Sequence, residues 1–246
     1  MPCGDLLLPR VDCVVDDDIL LAYTDLNGAV ATSWEEALEL EQETRGQAAT
    51  RLWFDERRKR LTSSNFSKIV KRKKAVTPAR IKNVFEPAAF ESVFTTYGKN
   101  HEGPAKQQYL KQHPAHHIHD CGLVVNPQFS FLAASPDGKV CVDGETGVLE
   151  VKCPFTARDI TIAEAVERLP KFCLEKSGDT YSLKKNHDYY SQVQGQIMVT
   201  GVRFCMFVVY TRKDMFCARI EPDGSFIKEM FGKLAAFCRE SDKFSG

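Results

Sequence analysis

Ser135-Pro136-Asp137-Gly138, followed by Leu149-Glu150-Val151-Lys152-Cys153-Pro154, is the stretch that decides how this chain is read. Phe129–Ala134 is an apolar run that ends at Ser135–Gly138, a turn signal. Two short runs, Lys139–Val142 and Val148–Cys153, flank Asp143-Gly144-Glu145-Thr146-Gly147, which predicts a hairpin. Side chains alternate along a strand, so Glu150 and Lys152 share one face while Val151 points into the core. Asp137 stands at the end of the preceding strand, where a hairpin returns it beside Glu150. Carboxylates hold hard divalent cations, which polarise phosphoryl oxygens and lower the pKa of a bound water. A neighbouring ammonium helps orient that water and stabilises developing negative charge. One Asp and a Glu-x-Lys on adjacent strands thus read as a metal-plus-lysine site on a rigid sheet. The same pattern also fits an ordinary surface Glu/Lys pair, but Leu149 and Val151 mark a buried strand, where uncompensated charge is costly.

Working outward, the sequence predicts helices on both sides of these strands. Ser33-Trp34-Glu35-Glu36 has the spacing of a capping box and predicts a Glu-rich helix to about Arg45. Thr62, Ser63 and Ser64 are good caps for a helix with Phe66, Ile69 and Val70 on one face, closed by Lys71-Arg72-Lys73-Lys74. A further helix is expected over Pro104–Gln112 with some extension before it, and another over Ile160–Leu169. Residues 170–186 read as a loop. In Asp188–Thr200 the apolar Tyr189, Val193 and Ile197 recur at helical spacing. Phe204–Tyr210 and Met215–Ile220 are a second pair of strands, and Phe226–Phe237 is a closing helix. The expected fold class is α/β: a mixed central β-sheet flanked by helices, with a helical N-terminal part.

Composition sets the outer limits. The 246 residues carry 33 Lys+Arg against 33 Asp+Glu, with 43% hydrophobic residues, which describes a globular chain of zero formal charge. The balance conceals an asymmetry: residues 1–50 hold eleven acids and two bases, and residues 51–82 hold twelve bases and two acids. A basic block of this kind makes nucleic acid a candidate partner. No apolar run approaches the roughly 20 residues of a membrane span, and no basic-then-apolar leader is visible. The nine Cys form no C-x-x-C pair and no zinc-type Cys/His spacing. Most lie in apolar stretches, as Cys205 and Cys217 do, which predicts a reduced, intracellular protein. His116, His117 and His119 lack a fourth ligand at zinc spacing and read as surface histidines.

The words around the acids resemble the PD-(D/E)xK nuclease superfamily and, within it, the lambda-exonuclease-like, or YqaJ-type viral recombinase, group. Ser135–Gly138 and Glu150–Thr156 look like the group's acid-bearing motifs. Tyr97-Gly98-Lys99-Asn100-His101-Glu102 resembles its G-x-x-x-E helix, and Tyr190-Ser191-Gln192-Val193-Gln194 its Q-V-Q helix. Trp53, Arg57 and Leu61-Thr62-Ser63-Ser64 resemble its DNA-end segment. Five blocks in the right order span about residues 50–220, while 1–45 and 225–246 have no clear counterpart and the loop 155–186 departs in length and content.

The resemblance implies a restriction-endonuclease-like core over 46–246 behind an acidic extension with a helix over 1–45. It implies Asp137, Glu150 and the Val151 carbonyl as metal ligands, with Glu102 as an additional acid. Lys152 would position or activate the attacking water, and Gln194 would support that water or the scissile phosphate. Arg57, Thr62, Ser64, Ser135, Lys71 and Arg72 would contact DNA. For the basic residues, nuclear-localisation clusters and solvated helix faces are the other readings; phosphate neutralisation is favoured for Arg57 and part of Lys71–Lys74. Trp53, Phe54 and Phe66 suit either base stacking or a core.

The implied activity is a Mg²⁺-dependent (Mn²⁺ substituting) 5′→3′ exonuclease, with two ions per site. Its substrate is double-stranded DNA with free, 5′-phosphorylated ends, which it leaves with 3′ single-stranded tails for recombination or repair. A single-strand-annealing recombinase is an implied partner, and a trimeric ring or a monomer fits equally. A structure- or sequence-directed endonuclease and a silent DNA-end binding module are the rivals. The expected location is intracellular, and nuclear in a eukaryotic setting.

Overall fold

The computed structural model describes residues 15–86 and 92–242. Its N-terminal part is helical: α1 (Asp17–Leu21), α2 (Trp34–Glu43) and α3 (Arg51–Arg58) precede a short strand β1 (Leu61–Thr62) and helices α4 (Phe66–Val70) and α5 (Pro78–Phe85). The capping box at Ser33 and Glu36 forms as expected, each side chain meeting the other's backbone N–H. The acidic segment is tied down. Glu41 on α2 is buried against Lys139 at 3.1 Å and accepts from the Gly122 N–H, while Asp16 and Asp25 pair with Lys228 and Arg239.

Helix α6 spans Val93–Gln112, eleven residues longer at its start than a helix opened by Pro104. Ser92 and Thr95 cap it reciprocally, so Pro104 lies inside the helix and not at its first turn. Then come β2 (His117–His119), β3 (Val124–Val125), β4 (Leu132–Ala134), β5 (Gly138–Val142) and β6 (Glu145–Lys152). After β6 the chain runs through α7 (Ile162–Arg168), the hairpin β7 (Leu174–Ser177) and β8 (Thr180–Leu183), α8 (Asp188–Thr200), β9 (Cys205–Tyr210), β10 (Met215–Ile220) and α9 (Gly224–Asp242).

The main sheet has the order β10-β9-β6-β5-β2 and is mixed: β6 and β9 are parallel and every other pair is antiparallel. A parallel neighbour needs a crossover, and α7, the β7/β8 hairpin and α8 supply it. Both faces are covered. Val148, Cys205, Phe207 and Val209 pack with α7 and α8, whereas Leu149, Val151, Met206 and Val208 pack with Ala105 and Tyr109 of α6. The sheet centre therefore reads as a near-continuous apolar run, as strands buried on both faces do.

Three expectations are corrected here. Only Leu132–Ala134 of the run Phe129–Ala134 is a strand, and it belongs to a separate small sheet, β1-β4-β3. Asp137 thus leads into β5 instead of closing that strand, with its N–H donating to Leu149 O at 3.0 Å. The hairpin turn is two residues, not five: Asp143 and Gly144 both take positive φ (49° and 83°), the type I′ geometry that Asp-Gly favours. Glu145-Thr146-Gly147 extend β6. Within 170–186, β7 and β8 pair around Gly178 (φ 59°) and Asp179, a Gly-Asp turn signal that the polar flanks obscured.

Helix α8 lies across the sheet with Val193 and Ile197 fully buried, as the apolar stripe predicts. It ends at Gly201 in the left-handed region, whose N–H returns to Ile197 O. At Gly195 an added Cβ would stand 2.4 Å from the ring of the fully buried Phe66, so α8 approaches α4 more closely than any side chain permits. Gly195→Ala sets a helix-propensity gain of about 1 kcal/mol against an overpacking cost of about 1–3 kcal/mol. The ring has nowhere to retreat, so the cost wins. Thermal unfolding should show a lowered Tm; an unchanged or raised Tm would mean that α4 and α8 are not locked together.

Candidate active site

Glu150 is the best-buried acid in the sheet, with 2% of its surface exposed. It lies on the β6 face that meets α8, and both its oxygens are taken. Lys152 Nζ pairs with Oε1 at 2.5 Å, Gln192 Nε2 donates to Oε1 at 2.6 Å, and Gln196 Nε2 donates to Oε2 at 2.5 Å. Lys152 also donates to Gln192 Oε1 at 3.1 Å and sits over the Tyr189 ring at 4.6 Å. Lys152, Glu150 and Gln192 form a closed triangle. Burial alone would lower the lysine's pKa, but Glu150 and Asp137 outweigh it and hold the ammonium above its ordinary range.

Asp137 approaches from the bend before β5, and its Oδ2 accepts the Val151 N–H at 2.7 Å. Burial, then the Glu150 carboxylate, then Glu102 push its carboxyl well above the usual range. Glu102 arrives from α6, where Lys106 holds its Oε1 at 2.6 Å. The structure thus brings Glu102, Asp137, Glu150, Val151 and Lys152 to one place.

Gln194 is not among them. Its side chain is fully buried but donates to Glu221 O (3.0 Å) and accepts from the Asp223 N–H (2.9 Å), tying α8 to the loop before α9. Gln192 and Gln194 both sit one position off the apolar stripe, on opposite sides of it. The side that faces β6 carries Gln192 and Gln196, four residues apart and therefore on one face. That i, i+4 pair was the available signal.

The donor set suits a hard cation in its chemistry: carboxylate oxygens, with Asp137 repelled by both Glu150 and Glu102. Asp137, Glu150, Glu102 and the Val151 carbonyl would hold it. Among the described residues, as they stand, no three His, Cys, Asp or Glu side chains are drawn together at ligating range. Glu150 and Glu102 are instead held by ammonium and amide groups.

A second cluster lies two residues upstream of Asp137. Arg57 reaches Ser135 Oγ at 3.3 Å and Ser64 Oγ at 3.4 Å, and its guanidinium stacks over Trp53 at 4.1 Å. Trp53 Nε1 donates to Ser135 Oγ at 2.9 Å, and Thr62 Oγ1 lies 3.2 Å from Ser64 Oγ. Among the described residues no carboxylate pairs with Arg57, although Asp55 takes Arg58 and Glu56 takes Lys59 and Arg60. The four bases 57–60 are therefore not interchangeable. Burial lowers the Arg57 guanidinium to about 10, which leaves it charged at neutral pH. Lys71 is turned to Asn186 O and Asp188, and Arg72 to Lys74 O and Glu240. His116 accepts from or donates to the Tyr109 hydroxyl at 2.7 Å and stacks on His113.

The profile of the YqaJ-like viral recombinase domain matches residues 52–203. The chain belongs to that family. It is 28% identical over 218 residues to an alkaline nuclease of Orgyia pseudotsugata multicapsid polyhedrosis virus, covering 82% of this chain and 50% of the relative. The alkaline nuclease of Autographa californica nuclear polyhedrosis virus is 25% identical over 209 residues, covering 78% and 48%. The chain thus spans about half the length of these curated relatives. The alkaline exonuclease LHK-Exo of Laribacter hongkongensis superimposes with a TM-score of 0.59 at 25% identity, over 79% of this chain and 93% of that one. The shutoff and exonuclease protein of Kaposi's sarcoma associated herpesvirus shares the fold, with a TM-score of 0.56 at 12% identity over 85% and 72%. Among the described residues no helix is long and apolar enough to cross a membrane.

Two predictions follow from the arrangement. Burial and the neighbouring carboxylates raise the folded-state pKa of Asp137, so ionising it opposes folding once pH rises above the unfolded value. Asp137→Asn removes that repulsion and keeps an acceptor for Val151. It should raise Tm in EDTA at pH 7 while abolishing metal-dependent cleavage; a lowered Tm would contradict the electrostatic account. Secondly, Gln192→Ala should cut turnover about 10-fold or more, the scale of losing a partner that orients a metal ligand. Gln194→Ala, which takes a fully buried side chain away from the part-buried Glu221 carbonyl and Asp223 N–H, should lower stability and spare the rate of the folded fraction. Reversed effects in steady-state kinetics and denaturation would restore Gln194 to the centre.

Proposed function

We propose that this chain is a metal-dependent deoxyribonuclease that enters duplex DNA at its ends and digests one strand 5′→3′, leaving 3′ single-stranded tails. The observation that carries this reading is the juxtaposition of two clusters. The Arg57–Ser64–Ser135 pocket and the Asp137–Glu150–Lys152 centre are joined by the two-residue step from Ser135 to Asp137. A terminal phosphate carries more charge than an internal one, and a guanidinium with hydroxyl donors and no carboxylate partner suits it. An end held there presents a neighbouring phosphodiester to the carboxylates. The names of the relatives, alkaline nuclease and alkaline exonuclease, support the same reading.

The chain's own groups divide the work. Glu150, Asp137 and Glu102 would hold divalent charge, Mg²⁺ in this reading, with Mn²⁺ as substitute. When bound, such an ion supplies Lewis-acid activation of the phosphate and of water. Lys152, kept protonated by its neighbours, stays an ammonium and so orients water and offsets charge instead of accepting a proton. Gln192 fixes Lys152 and Glu150 relative to each other. Glu150 cannot move without breaking three contacts.

The test is a comparison of DNA ends. In Mg²⁺, linear duplex with 5′-phosphates should be degraded faster than 5′-hydroxyl duplex, and covalently closed circles should remain intact. Arg57→Ala should erase the preference for phosphorylated ends, while Arg58→Ala, already paired with Asp55, should keep it. Nicking of closed circles would turn the reading to an endonuclease. Equal rates on both kinds of end in the wild-type protein would remove the phosphate pocket.

A further inference from the structure

A second lysine stands at the acid cluster, and neither the sequence motifs nor the reading above uses it. Lys106 follows Glu102 by one helical turn on α6, and its ammonium makes two bonds: Glu102 Oε1 at 2.6 Å and the backbone carbonyl of Asp137 at 2.5 Å. The side chain is one-quarter exposed, so it is seated between α6 and the bend before β5 and does not trail into solvent. Its neighbours Ala105 and Tyr109 are fully buried against β5 and β6, which fixes the helix that carries it.

Glu102 needs such a hold. It lies at the helix surface with about a third of its side chain exposed, and an unrestrained Glu retains considerable rotamer freedom. Asp137 is already held at its N–H by Leu149 O and at Oδ2 by the Val151 N–H. Its carbonyl accepts from Lys106. One ammonium with three donors thereby joins the two elements that bring acids to the centre from opposite sides of the chain. It also places a second positive charge among three carboxylates that repel one another.

We propose that Lys106 is a positioning residue of the nuclease centre: it pins Glu102 to the Asp137 bend, so that the acid from α6 is presented to the divalent ion at a set distance from the acids on the sheet. This rests on the reading of the centre as a metal-dependent nuclease. Lys106 acts through Glu102 and Asp137 and does not itself touch the scissile group.

Calorimetric titration of Mn²⁺ into the metal-free protein tests it, read beside Mn²⁺ dependence of cleavage, KM for linear DNA, and Tm. Lys106→Met should weaken Mn²⁺ binding about 10-fold, the scale for losing a group that orients a metal ligand, and raise the Mn²⁺ needed for half-maximal cleavage by the same factor. KM for DNA should not change. Lys106→Arg, which keeps charge and donors, should recover most of the affinity, and Lys111→Met, on the exposed last turn of α6, should behave as wild type. Should Lys106→Met fail to fold, Lys106→Gln carries the test with a smaller loss in the same direction. Wild-type Mn²⁺ affinity in either variant would overturn the proposal, as would a loss that tracks Tm and is the same in Lys106→Arg. Wild-type protein that binds Mn²⁺ but cleaves no DNA would remove the nuclease reading, while weaker Mn²⁺ binding by Lys106→Met would still uphold the positioning role.

Discussion

A carboxylate buried at the centre of a sheet must be compensated where it stands, and in this protein Glu150 sets that requirement for everything around it. A single uncompensated charge there would cost several kcal/mol. Lys152 two residues on, and Gln192 and Gln196 from α8, meet it completely. That is why α8 must cross this face of the sheet at this height, why Gly195 on the same helix must let Phe66 approach, and why Lys152 stays protonated in a buried place. The geometry of the proposed centre and the fold are held by the same bonds.

Around that constraint the chain sorts its charges by partner. Half of the twelve bases in the basic block pair with carboxylates: Arg51 and Arg58 on Asp55, Lys59 and Arg60 on Glu56, Lys71 on Asp188, Arg72 on Glu240. Arg57 alone among the four bases 57–60 meets only hydroxyls and an indole ring. The acidic N-terminal segment does the converse, with Glu41, Asp16 and Asp25 anchoring it on Lys139, Lys228 and Arg239. A net charge of zero thus hides a structure in which many charges of the acidic segment and the basic block serve the fold.

The parts of this arrangement that local chemistry controls could be read from the sequence. Alternation placed Glu150 and Lys152 together and Val151 opposite; the capping box at Ser33 and the stripe Tyr189–Val193–Ile197 set two helices. What escaped depends on tertiary contact. Whether Gln192 or Gln194 meets Glu150 turns on which flank of α8 the sheet lies, which no local pattern in the helix states. The start of α6 was masked by Pro104, a residue usually found at helix openings, because the Ser92–Thr95 cap lies outside any apolar repeat. Lys106 escaped for the same reason, since one of its two partners is a backbone carbonyl 31 residues away. Asp143-Gly144 shows the converse case, in which a two-residue turn was legible but its flanking polar residues were read as loop.

The central claim is that Lys152 acts on the reaction and not on the grip. Single-turnover digestion of end-labelled linear duplex in Mg²⁺ by wild type and Lys152→Ala, with DNA affinity measured in parallel, tests it most directly. The account predicts a rate lower by at least ~100-fold, the scale of removing one electrostatic stabiliser, with affinity nearly unchanged. A variant that keeps its rate and loses its affinity would make Lys152 a phosphate clamp and contradict the account.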